Sequence, residues 1–128
     1  MTYHFTKTLD CGFDEAVARA TKALADQGFG VLTTIDVSAT MKAKLGADMK
    51  PYVILGACNP QFAYRALQAE NKIGTMLPCN VVVQDIGGGQ TEVSAVNPLE
   101  SMSAVKNPDL LPIATEVTSR LQTVVSSL

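Results

Sequence analysis

The chain has 128 residues, 47% of them hydrophobic and 17% charged, with a formal net charge of −2. The length suits a single domain, residues 1–128, with a real core, and so low a charged share excludes a disordered chain. An acidic balance with no run of lysine or arginine excludes a nucleic-acid partner, and the absence of any stretch near the roughly 18 apolar residues of a membrane span excludes a membrane one.

Tyr3 to Leu9 alternates weakly, with Tyr3 and Phe5 on one face, and reads as a half-buried strand. Gly12 stands at an N-cap position with Glu15 where a capping-box partner would sit. Phe13, Ala16, Val17, Ala20, Ala23 and Leu24 then form the apolar stripe of a helix that ends before Gly28. In GFGVLTTIDV, Phe29, Val31, Ile35 and Val37 share one parity, so a second strand with these on one face is expected. Ser38 is the expected cap of a short helix from Ala39 to Leu45, closed by Gly46. Tyr52 to Cys58, YVILGAC, is almost wholly apolar and reads as a central strand.

Asn59-Pro60 is a helix start, with Asn as N-cap and Pro at the first helical position. Phe62, Ala63, Ala66 and Leu67 form the apolar side of that helix, which runs to about Glu70. VVVQDI and TEVSAV are two strands joined by Gly87, Gly88 and Gly89, the signature of a hairpin. Asn97-Pro98 ends the second of them. Asn107-Pro108 opens a last helix whose apolar face is Leu111, Ala114, Val117, Leu121 and Val124. Five strands, three substantial helices and an antiparallel hairpin make the fold class α+β, a mostly antiparallel sheet with helices on one face.

Two segments carry the candidate chemistry: GACNP, Gly56 to Pro60, and LPCNVVV, Leu77 to Val83. Each puts Cys-Asn at a strand boundary. Cys58 precedes a helix N-terminus, whose partial positive charge and free N–H groups stabilise a thiolate. Cys79 follows Pro78 and approaches Cys58 if the two strands pair. Asn59 and Asn80 add amide donors, although Asn59 is already explained as a cap. The bland alternative is that both cysteines simply pack, as small apolar side chains do. Cys11 lacks such a context and reads as a loop or packing residue. A soft metal would need Cys58, Cys79 and a thioether such as Met76; Met41, Met49 and Met102 fit gap-filling better. His4 has no partner at ligand spacing. The triple glycine precedes a strand rather than a helix, so it is not a phosphate loop. No Ser-His-Asp set can be drawn with one histidine near the N-terminus, and no cofactor is expected.

With these blocks, the FDEA helix start, GFGVLTTIDV, PYVILGACNP and IGTMLPCNVVV, the chain resembles the family known as domain of unknown function 302. The resemblance implies a small α+β domain in β-α-β-β-α-β-β-α order, a homodimer, and no established activity. It also places Cys58, Asn59, Pro60, Leu77, Pro78, Cys79 and Asn80 in the family's most recognisable segments.

Two functions remain open. One is a thiol-centred site at Cys58 and Cys79, working by reversible disulfide or by holding a small thiol, sulfur-bearing or anionic ligand. The other is a homodimeric interaction module whose cysteines are core. Three cysteines, an odd number, and no visible signal peptide make a reducing cytoplasm the expected compartment.

Overall fold

The computed structural model describes residues 2–128. The elements follow as β1 (His4–Leu9), α1 (Phe13–Asp26), β2 (Gly30–Asp36), α2 (Val37–Leu45), β3 (Tyr52–Cys58) and α3 (Pro60–Ala69). After a short 3-10 turn, Ile73–Met76, come β4 (Cys79–Gly87), β5 (Gln90–Val96), α4 (Pro98–Ser101), a second 3-10 turn, Pro108–Leu110, and α5 (Leu111–Ser126). The five strands form one sheet in the order β1-β5-β4-β3-β2, antiparallel throughout. Consecutive strands β1 and β2 therefore lie at opposite edges, and α1 carries the chain across the sheet between them.

The core lies between one sheet face and the helices. Leu55, Ala57, Val81, Val83, Val93 and Ala95 point into it from the three middle strands, and all are buried. Ala16, Ala20, Ala23 and Leu24 meet them from α1, at the spacing of one helix face. Val117, Leu121, Val124 and Val125 do so from α5. Each fully buried Val or Leu contributes roughly 1.5–3 kcal/mol relative to exposure. The other sheet face is uncovered: Thr6, Thr8 and Asn80 are exposed there, and Tyr52, Ile54 and Val82 are half-buried. Gly87, Gly88 and Gly89 all have positive φ, between 65° and 87°, so the hairpin turn between β4 and β5 needs residues without a Cβ.

Four local expectations change. First, Leu32 is an extra residue at a β-bulge, since Val31 pairs with Ala57 and Thr33 with Gly56. The insertion reverses the strand's parity. Phe29 and Val31 therefore face the core, but Ile35 sits opposite Ile54 on the uncovered face and is half exposed. Second, Asp36 caps α2: its carboxylate accepts from the Ala39 N–H at 2.9 Å and from the Ser38 hydroxyl. Ser38 lies inside the first turn instead. Third, Asn97-Pro98 opens the short helix α4, with Asn97 Oδ1 accepting from Leu99 N–H. Fourth, the 3-10 turn at Pro108 shifts the frame of the last helix, so Leu110 is buried and Leu111 is 60% exposed.

Gly56 stands at a crowded place in the sheet. A Cβ built there would lie 2.2 Å from Thr33 Oγ1 and 2.8 Å from Pro78 Cγ. Gly56→Ala should therefore lose about 1–3 kcal/mol of stability, the usual cost of overpacking. Chemical denaturation checks this, and in a Thr33→Ala background the loss should be smaller. An unchanged midpoint for Gly56→Ala would refute the crowding.

Candidate functional site

Strand β3 pairs with β4 so that Ala57 faces Cys79 across the ladder. Cys58 is the next residue, at the end of β3, and α3 begins two residues later. The sheet stops here, and α3 and the start of α5 border the space at its end. The gap is a cavity of about 360 Å³. Its walls are Phe29, Leu32 and Thr33 from β2 and its approach, Ala57, Cys58 and Cys79 from the strand ends, and Phe62, Ala63, Ala66 and Leu67 from α3. Leu77, Pro78 and Met102 close it from the loops, with Leu110 from the second 3-10 turn and Ile113, Ala114 and Val117 from the start of α5. Among the described residues no charged side chain lines it.

Both motif cysteines lie in this wall, and Cys11 does not. All three are free thiols. Cys79 is buried, and burial pushes its pKa up to about 11, with the nearby Cys58 adding repulsion. Near neutral pH it is a protonated, apolar-behaving thiol. Cys58 is half-buried. Pro78, joined to Leu77 by a cis bond, belongs to the same wall. Cys11 is packed against the core at the β1–α1 corner, where the Arg19 guanidinium donates to its sulfur at 3.7 Å.

Asn59 occupies the N-cap position of α3 but makes no capping bond. Its side chain turns away and donates from Nδ2 to the Gln27 carbonyl at 3.4 Å. The same carbonyl accepts from Arg120 Nη1 at 3.1 Å. The guanidinium of Arg120 lies 5.2 Å from the Phe62 ring centroid, and that of Arg65 lies 5.6 Å from it. Phe62 thus contributes to the cavity wall while both cations attend its ring.

Two sequence candidates lie elsewhere. Asn80 is on the uncovered face, in a separate groove of about 340 Å³ with Tyr3, His4, Tyr52, Gln84 and Glu92, because alternation sends the residue after Cys79 to the opposite side. Met76 is in the 3-10 turn and does not line the cavity, whereas Met102 does. Met41 and Met49 are exposed on and beyond α2. Among the described residues no three His, Cys, Asp or Glu gather to hold a metal ion. What the sequence missed is the rest of the wall. Phe62, Ala63 and Leu67 read as core, yet of the α3 face only Ala66 is buried. An apolar helix face with no sheet beneath it was the signal.

A family model described as "Domain of unknown function DUF302" matches residues 5–128. No curated protein matches the chain. Among solved structures, the crystal structure of an uncharacterized conserved DUF302 protein from Bacillus stearothermophilus superposes with a TM-score of 0.89 at 32% identity, covering 98% of each chain.

The raised Cys79 pKa has a consequence for stability. The folded protein holds that proton to about pH 11, whereas the ordinary thiol value is 9.0. Between these values the unfolded chain has lost the proton and the folded one has not, so stability falls as pH rises. Below about pH 9 the contribution is flat. Denaturant titrations from pH 8 to 11 should show this decline, on the order of 2–3 kcal/mol. Cys79→Ala should remove that part of the slope; an identical slope would contradict the assignment.

Proposed function

The chain belongs to the DUF302 family, and from that premise we propose that it is a binding domain for a small, neutral, mainly apolar ligand held in the cavity between the β3–β4 end, α3 and α5. The observation that carries this is the combination of volume and wall. About 360 Å³ lies within the range of small-molecule sites, roughly 300–1,000 Å³. Aromatic and aliphatic side chains make up nearly all of the lining, so affinity comes from removing apolar surface from water. Walls without a cation offer an anion little, which sets this ligand apart from an anionic one. Cys58 supplies a half-buried thiol in the wall, suited to contact with a sulfur-bearing or aromatic ligand. A thiol as hard to ionise as Cys79 exchanges slowly, which favours binding over dithiol redox chemistry. Three free thiols suit a reducing compartment such as the cytoplasm. Among the described residues no helix is long and apolar enough to cross a membrane.

A second feature favours a homodimer. β2 is an edge strand, with every residue except Val31 exposed, and α2 buries no residue at all. Leu32 is 68% exposed and Leu45 75%, and Ile35 and Met49 accompany them along the same segment. A free antiparallel edge is self-complementary about a two-fold axis, so the occupant we assign to it is a second copy of this chain.

Both statements are testable. The neutral fluorophore N-phenyl-1-naphthylamine should bind saturably, and Ala63→Phe, which fills the cavity from a half-buried position, should weaken it about tenfold or more. Thermal melting controls for folding of the variant. Absence of saturable binding, or equal binding by the filled variant, would sink the cavity proposal. Sedimentation equilibrium should give a dimer at micromolar concentration that Ile35→Glu dissociates. A wild-type monomer would remove the second copy.

A further inference from the structure

Three Asn-Pro pairs begin helical segments in this chain, and one of the three asparagines behaves differently. Asn97 Oδ1 accepts from Leu99 N–H at 3.2 Å, and Asn107 Oδ1 accepts from Asp109 N–H at 3.0 Å. Each caps the turn that follows. Asn59 has the same sequence context and makes no such bond. Among the described residues its side chain makes one hydrogen bond, from Nδ2 to the Gln27 carbonyl. Because a carbonyl can only accept, this bond assigns the amide nitrogen to that side and the oxygen to the other. Arg120 holds the same carbonyl, so its place does not depend on Asn59 alone.

Asn59 Oδ1 is thus left with no donor among the described residues. The residue is only 9% exposed. Yet among the described residues no fully buried side-chain oxygen or nitrogen lacks a partner. Oδ1 is therefore not fully enclosed by protein, although the residue as a whole is nine-tenths buried. That side chain stands in the cavity wall. An acceptor in a mainly apolar enclosure is worth most to a ligand that brings the missing donor.

We propose that the ligand of this cavity is a neutral apolar molecule bearing a single O–H or N–H donor, a phenol or alcohol in the simplest case, and that Asn59 Oδ1 accepts that hydrogen bond. The proposal rests on the cavity being a binding site and adds the polar group its occupant carries. The apolar body lies against Phe62, Leu77 and Ile113, and the donor end lies toward Asn59.

Displacement of N-phenyl-1-naphthylamine by 4-tert-butylphenol and by its methyl ether, 4-tert-butylanisole, provides the test. Apolar walls alone favour the ether, which gives up less hydration on entry. With the acceptor in place the phenol should bind about three- to tenfold more tightly than the ether. Asn59→Leu should abolish or reverse that preference. Thermal melting of Asn59→Leu controls for its folding, and the filled variant Ala63→Phe should weaken binding of both compounds together. An ether preferred by the wild type would overturn the donor while leaving the cavity standing. So would a phenol preference unchanged in Asn59→Leu. If neither compound displaces a fluorophore that does bind, this proposal falls while the cavity stands; if the fluorophore itself does not bind, both fall.

Discussion

The antiparallel pairing of β3 with β4 fixes where every part of the site stands. It sets Val53 against Val83 and Leu55 against Val81 in the middle of the core, and Ala57 against Cys79 at its end. Because these side chains are fully or nearly buried, a slip of one residue would turn the whole row toward the uncovered face. The register is therefore held by the core, and the site inherits it. Gly56 makes that register affordable at the crowded end, since Thr33 and Pro78 occupy the space where a side chain would go.

From that end the cavity follows without any dedicated device. The strands stop at Cys58 and begin at Cys79, and α3 and α5 line the space beside these ends. Their apolar faces have no strand beneath them there and so wall a space instead of filling one. Few polar groups enter the enclosure, and those that do are anchored from outside. Arg120 ties the Gln27 carbonyl, reaches Glu116 at 3.0 Å and packs over Phe62. One side chain thereby links α5, the end of α1 and the ring of α3 around the cavity. The desolvation that keeps Cys79 protonated belongs to the same environment, since an apolar enclosure disfavours any charge within it.

The edge formed by β2 and α2 obeys a different balance. The bulge at Leu32 turns Ile35 away from the helices, and α2 rests on no core of its own. A segment with so little buried surface gains most from a partner, and it borders the cavity through Leu32 and Thr33. Occupancy of the edge and shape of the cavity are in this way physically adjacent.

The elements themselves were legible in the sequence. The stripe from Ala16 to Leu24, the run YVILGAC, the glycine hairpin and the last helix all appear where their patterns put them, because periodicity and turn chemistry are local. From the two Cys-Asn blocks, Cys58, Asn59, Pro78 and Cys79 come to share one cavity wall. What the pattern could not carry were effects that depend on a single residue's partners in space. One inserted residue reverses the parity of β2, and no composition rule marks Leu32 as that residue. Asn80 leaves the site because β4 alternates, although its motif matches that of Asn59. Three Asn-Pro pairs look alike along the chain, and only packing against the end of α1 turns Asn59 from a cap into part of a cavity wall. Sequence by itself determined the main strands and helices and the α+β class, and singled out the neighbourhood of Cys58 and Cys79, since local propensity and hydrophobic period suffice for these. The tertiary structure decided that this neighbourhood is an apolar cavity with one free acceptor, because only the meeting of strand end, α3 and α5 creates the space and leaves that oxygen without a partner.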